Sequence, residues 1–295
     1  MRFRRRARLD PGQVTDVRGR RVGPGGLAAG GGGLGLAGLV IYLLISVLSG
    51  GGGLGQLAPL DDQQVGQGDT PSEISQECQT GEDANQRQDC RIVAVVNSVQ
   101  KFWDGVFQRS NRQYEYANTF FFTDGVNTGC GFADSQVGPF YCPKDQHVYI
   151  DLGFFDELQS RFGVGNAPFT QAYVIAHEYG HHVQNLLGVL SKTASDRQGP
   201  ESLAVRAELQ ADCYAGVWAA NAVKTGLIEE LTQADINAGL AAAAAIGDDR
   251  IQERTTGQVN PEVWTHGSSE QRRRWFSRGY EEGRPAVCDT FAGSI

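Results

Sequence analysis

The chain has 295 residues, 40% hydrophobic and 20% charged, with a formal net charge of −8. That length suits one large domain or two ordinary ones, and the apolar content excludes a wholly disordered or collagen-like chain. The acidic balance excludes nucleic acid as the main partner, because phosphate binding requires basic surface.

Taken from the N-terminus, residues 1–26 read as a basic cytoplasmic segment, with Arg2, Arg4, Arg5, Arg6, Arg8, Arg18, Arg20 and Arg21 against Asp10 and Asp16. Residues 27–49 read as a transmembrane helix: no charge falls between Leu27 and Ser49, and Leu34–Leu48 is strongly apolar. Such a helix reaches roughly 34 Å, enough for a hydrocarbon core of about 30 Å. Arginines before the span and acidic sequence after it place the N-terminus in the cytoplasm and the body outside, in a periplasm or at a cell surface. A cleaved secretory signal is the alternative, but the apolar stretch is long for one and its nearby small-residue site, Gln56-Leu57-Ala58, is poor. Residues 50–75, rich in Gly, Gln and Asp, read as a flexible stalk, leaving 76–295 as an extracytoplasmic domain.

All six cysteines follow the span. An even count outside the membrane indicates disulfides, and short loops favour Cys78–Cys90 and Cys130–Cys142, leaving Cys213–Cys288. Free buried thiols are the alternative. No C-x-x-C pair occurs, which argues against a cysteine zinc cluster.

Within the domain, Ile92, Val95, Val96, Val99, Phe102, Trp103 and Val106 recur at helical spacing, so a helix is expected between Cys90 and Arg109. Residues Tyr114–Phe122 and His147–Asp151 read as strands. Helical pattern returns at Pro168 and runs to about Leu187, stopped by Gly188. Further helices are expected over roughly 201–225, 232–246 and 268–280. Helix, then strands, then helices in blocks describes an α+β domain.

The sharpest signal is His177-Glu178-Tyr179-Gly180-His181. On a helix, positions i and i+4 share a face, so both imidazoles can bind one Zn²⁺, with Glu178 placed to act on an activated water. The flanking Ala172, Val174, Ile175, Ala176, Val183 and Leu186 set this motif in a buried helix, where two satisfied core histidines are the alternative reading. A third ligand is sought among Glu201, Glu208, Asp212, His182 and His266. His182 points about 100° away from His181 and reads as a supporting or surface residue. Glu208 and Asp212 stand four apart in an apolar helix, so both carboxylates share one face. Glu208 is preferred as ligand and Asp212 as the group that orients an imidazole; the alternative is a Glu208 paired with Arg206 or solvent. For the developing oxyanion the candidates are His266, preferred, and Tyr179, with a plain loop histidine as the other reading of His266. His147–Asp151 serves either as an edge strand that aligns an extended peptide or as an ordinary core strand. The run Arg272-Arg273-Arg274 reads as a solvated helix face paired with Glu270, Glu281 and Glu282.

Three stretches carry a resemblance. Ala176-His177-Glu178-Tyr179-Gly180-His181-His182-Val183-Gln184, Arg206-Ala207-Glu208-Leu209-Gln210-Ala211-Asp212-Cys213 and Thr265-His266-Gly267-Ser268-Ser269-Glu270-Gln271-Arg272 resemble the bacterial neutral zinc metallopeptidases. The segment from Gly138 to Pro143, leading into Val148–Leu152, is similar to that family as well. The resemblance covers roughly residues 75–290. It implies a zincin-like fold behind an N-terminal span, one Zn²⁺ held by His177, His181 and Glu208, and Glu178 as base.

The expected function is therefore a membrane-anchored zinc metalloendopeptidase acting on peptide or protein substrates. Two alternatives stand beside it: a non-catalytic zinc-binding envelope interaction or assembly protein, and a zinc hydrolase of a non-peptide amide or ester. The intact Glu178 argues against the first, since a binding module needs no base there.

Overall fold

The computed structural model describes residues 1–19 and 73–295. It begins with β1 (Arg2–Phe3) and β2 (Val14–Asp16). After the undescribed segment come α1 (Glu73–Glu77), α2 (Gly81–Gln86) and the long α3 (Gln88–Arg109). Four strands follow as β3 (Thr119–Phe122), the hairpin β4 (Gly125–Thr128) and β5 (Gly131–Asp134), and β6 (Phe140–Cys142). β7 (His147–Asp151) leads to α4 (Phe154–Phe162), then α5 (Pro168–Leu186) and α6 (Leu203–Asn221). The chain closes with β8 (Ile228–Glu230), α7 (Gln233–Ala245), α8 (Asp248–Thr256) and α9 (Ser269–Glu282).

The central sheet has the order β2-β3-β7-β6. β2, β3 and β7 run parallel, with Val14 opposite Thr119 and Thr119 opposite Val148, while β6 is antiparallel and sets Tyr141 opposite Val148. Phe121, Val148 and Ile150 face the main core, and Phe122 and Tyr149 face a smaller one under the β4–β5 hairpin. This is the alternation a two-faced sheet requires. His147–Asp151 is thus an interior strand, and the edge beside α5 belongs to β6. Of the stretch Tyr114–Phe122 only Thr119–Phe122 enters the ladder; just before it, the Ala117 N–H donates to the Gln100 side chain at 2.9 Å instead.

The domain is α+β, but the N-terminal expectation is corrected. β1 pairs with β8, and β2 pairs with β3. Phe3 and Leu9, set among exposed arginines, and Val14 enter the same core as the rest of the chain. Arg18 adds an ion pair to Asp89 on α3 at 3.5 Å. A segment docked in this way does not lie across a bilayer from residues 76–295, which overturns the single-pass arrangement with a cytoplasmic N-terminus and an extracytoplasmic domain. Among the described residues no helix is long and apolar enough to cross a membrane. The span expected at 27–49, and nearly all of the stalk expected at 50–75, lie outside the described residues.

Disulfides join Cys78 to Cys90, Cys130 to Cys142 and Cys213 to Cys288. The first fastens the end of α1 to α3, and the second ties the hairpin to β6. The third holds the C-terminal segment against α6.

Two helix contacts position the site. At Gly180 in α5 a Cβ would stand 3.0 Å from Ala211 Cα and 3.1 Å from its carbonyl oxygen, so glycine lets the backbones of α5 and α6 approach. At Gly279 in α9 a Cβ would lie 2.0 Å from the Cys213 carbonyl oxygen, so α9 rests directly on α6. Phe169, Trp218 and Phe276 fill the space among these helices, with Phe169 and Trp218 stacked.

Candidate metal centre

α5 begins with Pro168 at its first turn and ends where Gly188 takes a left-handed φ of +70°. Its pitch puts His177 and His181 on one face. α6 begins at Ser202, whose hydroxyl accepts the Val205 N–H, and it presents Glu208 and Asp212 one turn apart. The Gly180–Ala211 contact brings the two faces together.

His177 Nε2 and His181 Nε2 stand 3.2 Å apart. Glu208 Oε2 is 3.2 Å from the first, and Glu208 Oε1 is 3.5 Å from the second. On each ring the other nitrogen is occupied: His177 Nδ1 lies 2.8 Å from Asp212 Oδ1, and His181 Nδ1 lies 2.9 Å from Gln184 Oε1. Both Nδ1 atoms therefore carry a proton, so each Nε2 is the nitrogen left to offer its lone pair to a metal. Two Nε2 atoms and a carboxylate converge, a cluster that needs positive charge, supplied by a proton on an imidazole or by a metal ion. Nitrogens bound to one tetrahedral zinc at about 2.0–2.1 Å stand roughly 3.3 Å apart, close to the spacing found here. The donor set fits Zn²⁺, with a fourth position left for water or substrate.

Charge around the site is organised in layers. Asp212, fully buried, accepts from Arg272 Nε at 2.8 Å and Nη2 at 3.0 Å, and from the Tyr173 hydroxyl. Burial disfavours its ionised form, but Arg272 and His177 hold its pKa below the ordinary carboxylate range. Burial likewise works against a charged His177, yet Asp212 and Glu208 raise its pKa to about 10. For Glu178 burial prevails and raises the carboxyl pKa, although both histidines pull it down. Burial opposes ionisation of Glu208 as well, and there His181, His266 and His177 prevail and lower it.

The remaining candidates separate cleanly. Glu201 is exposed and pairs with Arg206 at 3.6 Å, so Arg206 does not neutralise Glu208. His182 is fully buried rather than at the surface: Nδ1 meets the Tyr141 hydroxyl at 3.1 Å, Nε2 meets the Glu115 carbonyl at 2.6 Å, and burial lowers its pKa to about 4. The Tyr179 hydroxyl shares a hydrogen bond of 2.8 Å with Thr119 in the sheet, away from the ligands. His266 Nδ1 lies 3.2 Å from Asp248 Oδ1, and its buried Nε2 has no hydrogen-bond partner among the described residues. Burial opposes charging this imidazole, but Asp248 and Glu208 raise its pKa, the latter linking it to the His177–His181–Glu208 cluster.

Sequence reasoning missed Arg272, Tyr173 and Asp248. Arg272 is not on a solvated face. It is 2% exposed and shares a helix face with the buried Trp275, Phe276 and Gly279. That i, i+3, i+4, i+7 spacing is the signal that could have found it. Asp248 opens α8, an element with no apolar stripe to announce it; its Oδ2 accepts the backbone N–H groups of Thr265, His266 and Gly267 at 2.7, 2.6 and 3.1 Å.

Two imidazoles and a carboxylate on two packed helices could hold a metal ion, and a glutamate adjoins the first imidazole. The family described as "Putative neutral zinc metallopeptidase" matches residues 1–291, and the chain belongs to that family. It is 50% identical over 225 residues to the uncharacterized protein Rv2575 of Mycobacterium tuberculosis, covering 74% of this chain and 75% of that one. It is 37% identical over 292 residues to the uncharacterized protein YpfJ of Escherichia coli, covering 96% and 98%. No solved structure matches the chain.

Proposed function

We propose that this protein is a zinc metalloendopeptidase in which His177, His181 and Glu208 hold the metal, Glu178 is the general base and His266 steadies the oxyanion. The observation that carries this reading is the convergence of two imidazole nitrogens 3.2 Å apart on one carboxylate, whose two oxygens lie 3.2 Å and 3.5 Å from them, beside a buried carboxyl of raised pKa. Zinc at such a site polarises a carbonyl and lowers the pKa of water. Glu178, one residue from His177, takes a proton from the attacking water onto its carboxylate and passes it to the leaving amine. Burial makes it a stronger proton acceptor than an exposed glutamate. His266 offers Nε2 as a donor to the negative oxygen, and Asp248 at Nδ1 supports its charged form. β6 is the sheet edge next to α5, and its Tyr141 hydroxyl accepts from Asn185 of that helix at 2.9 Å. No further strand pairs with β6 among the described residues, so an extended peptide can add there by main-chain hydrogen bonds.

The test exposes a diverse peptide library to the zinc-loaded full chain and to its Glu178→Gln variant, with cleavage read by mass spectrometry. Cleavage by the first alone is the expected result. Equal cleavage by both would remove Glu178 as base. Cleavage by neither, with zinc bound to both, would overturn the peptidase reading.

A further inference from the structure

The two histidines are oriented by different chemistry. Behind His177 stands a charged carboxylate, Asp212, backed by Arg272. Behind His181 stands a neutral amide. Gln184, one turn along α5 and fully buried, donates from Nε2 to the Ala207 carbonyl at 2.6 Å and to Gln210 Oε1 at 3.1 Å. With both amide hydrogens engaged, its Oε1 is left to accept from His181 Nδ1 at 2.9 Å.

The path continues beyond Gln184. Gln210 spends Oε1 on Gln184 and donates from Nε2 to the Cys288 carbonyl at 2.9 Å. Cys288 is bonded to Cys213, three residues after Gln210 on the helix that also carries Glu208 and Asp212. Every member is buried, so water does not substitute for a lost partner: Gln210 is 6% exposed and Cys288 1%.

From this geometry we infer that Gln184 is the positioning residue for His181, and that Gln210 and the Cys213–Cys288 disulfide hold Gln184 in register. The inference rests on His181 being a metal ligand. Removing the amide acceptor frees the imidazole to turn and to move its proton to Nε2, the atom that must face the metal with a lone pair. The neutral amide has its own logic. Glu178, Glu208 and Asp212 already surround the centre, and a further carboxylate at position 184 would sit against the Ala207 carbonyl and Gln210 Oε1 with no proton to offer them.

The experiment measures zinc affinity of the full chain by chelator competition, together with the visible absorption of the Co²⁺-substituted protein. Gln184→Met is expected to weaken zinc binding by about 10- to 100-fold and to change the Co²⁺ spectrum. Gln210→Met, which acts one step further out, is expected to weaken it less and serves if the first variant does not fold. A residue that only supports the fold would lower the thermal midpoint of the metal-free protein while leaving affinity and spectrum unchanged. Unchanged affinity in whichever variant folds therefore overturns the inference. A wild-type chain that fails to bind zinc at one equivalent would instead overturn the metal reading itself, and this inference with it.

Discussion

Arg272 on α9 grips Asp212 on α6 through two parallel hydrogen bonds, Nε to Oδ2 at 2.8 Å and Nη2 to Oδ1 at 3.0 Å, while Asp212 Oδ1 faces His177 Nδ1 at 2.8 Å. A fully buried carboxylate is costly unless it is paired, and the planar guanidinium pairs it without competing for the imidazole. Asp212 is thereby held ionised and fixed in direction, which holds the proton on His177 Nδ1 and the direction of its ring.

Arg272→Met leaves Asp212 buried and uncompensated. It should cost about 3–5 kcal/mol of stability in urea unfolding. Zinc affinity, measured by chelator competition, should fall about 10- to 100-fold because His177 loses its oriented partner. Wild-type affinity in a folded variant would show that Asp212 needs no support from α9.

Removal of metal should lower the thermal midpoint, because zinc held only by the folded state stabilises it by about 2.7 kcal/mol at a hundredfold excess over Kd. Re-addition of zinc should restore the midpoint. His177→Ala should melt at one temperature with or without zinc, since it lacks a ligand. A zinc-dependent midpoint in that variant would count against the assignment.

His266→Ala should keep one equivalent of zinc and lower kcat about 10²- to 10³-fold, the size of effect expected for one oxyanion donor. Metal analysis and peptide kinetics on the same preparation decide it. Loss of zinc would make His266 a fourth ligand instead.

Asp248 gives a pH signature. Burial opposes its ionisation, but His266 and the backbone N–H groups of His266 and Thr265 lower its pKa in the folded state. An aspartate lowered from its usual value of about 3.9 stabilises fully above that pH, and loses the contribution as pH falls through the native pKa, since the unfolded chain protonates first. Asp248→Asn should therefore be less stable near neutrality yet lose less on acidification below about pH 4. Parallel wild-type and variant curves of stability against pH would contradict this.

Phe3→Ala tests the docked N-terminal segment. Phe3 is 1% exposed, and its truncation should cost about 3–5 kcal/mol, read by chemical denaturation of the whole domain. A cost near zero would mean that residues 1–19 do not share the domain's core.

Local physics made the centre of the site legible in the sequence. The helical pitch alone puts His177 with His181 and Glu208 with Asp212, and Pro168, Gly188, Ser268 and Gly283 mark helix ends by backbone chemistry confined to one turn. What joins the two helix faces is a backbone approach at Gly180 and Ala211, and a spacing of 3.2–3.5 Å between donor atoms has no counterpart in sequence periodicity. Arg272 lay hidden for the same reason: a run of three arginines reads as solvated until the Gly279–Cys213 contact turns one of them inward. The N-terminal segment shows the limit most sharply. Its arginines before an apolar stretch follow a membrane pattern, while Phe3, Leu9 and Val14 sit in strands and turns too short to show a period. Only pairing with β8 and β3, more than 100 residues away in the chain, gives those side chains a place to be buried, and such non-local pairing is a property of the tertiary structure alone.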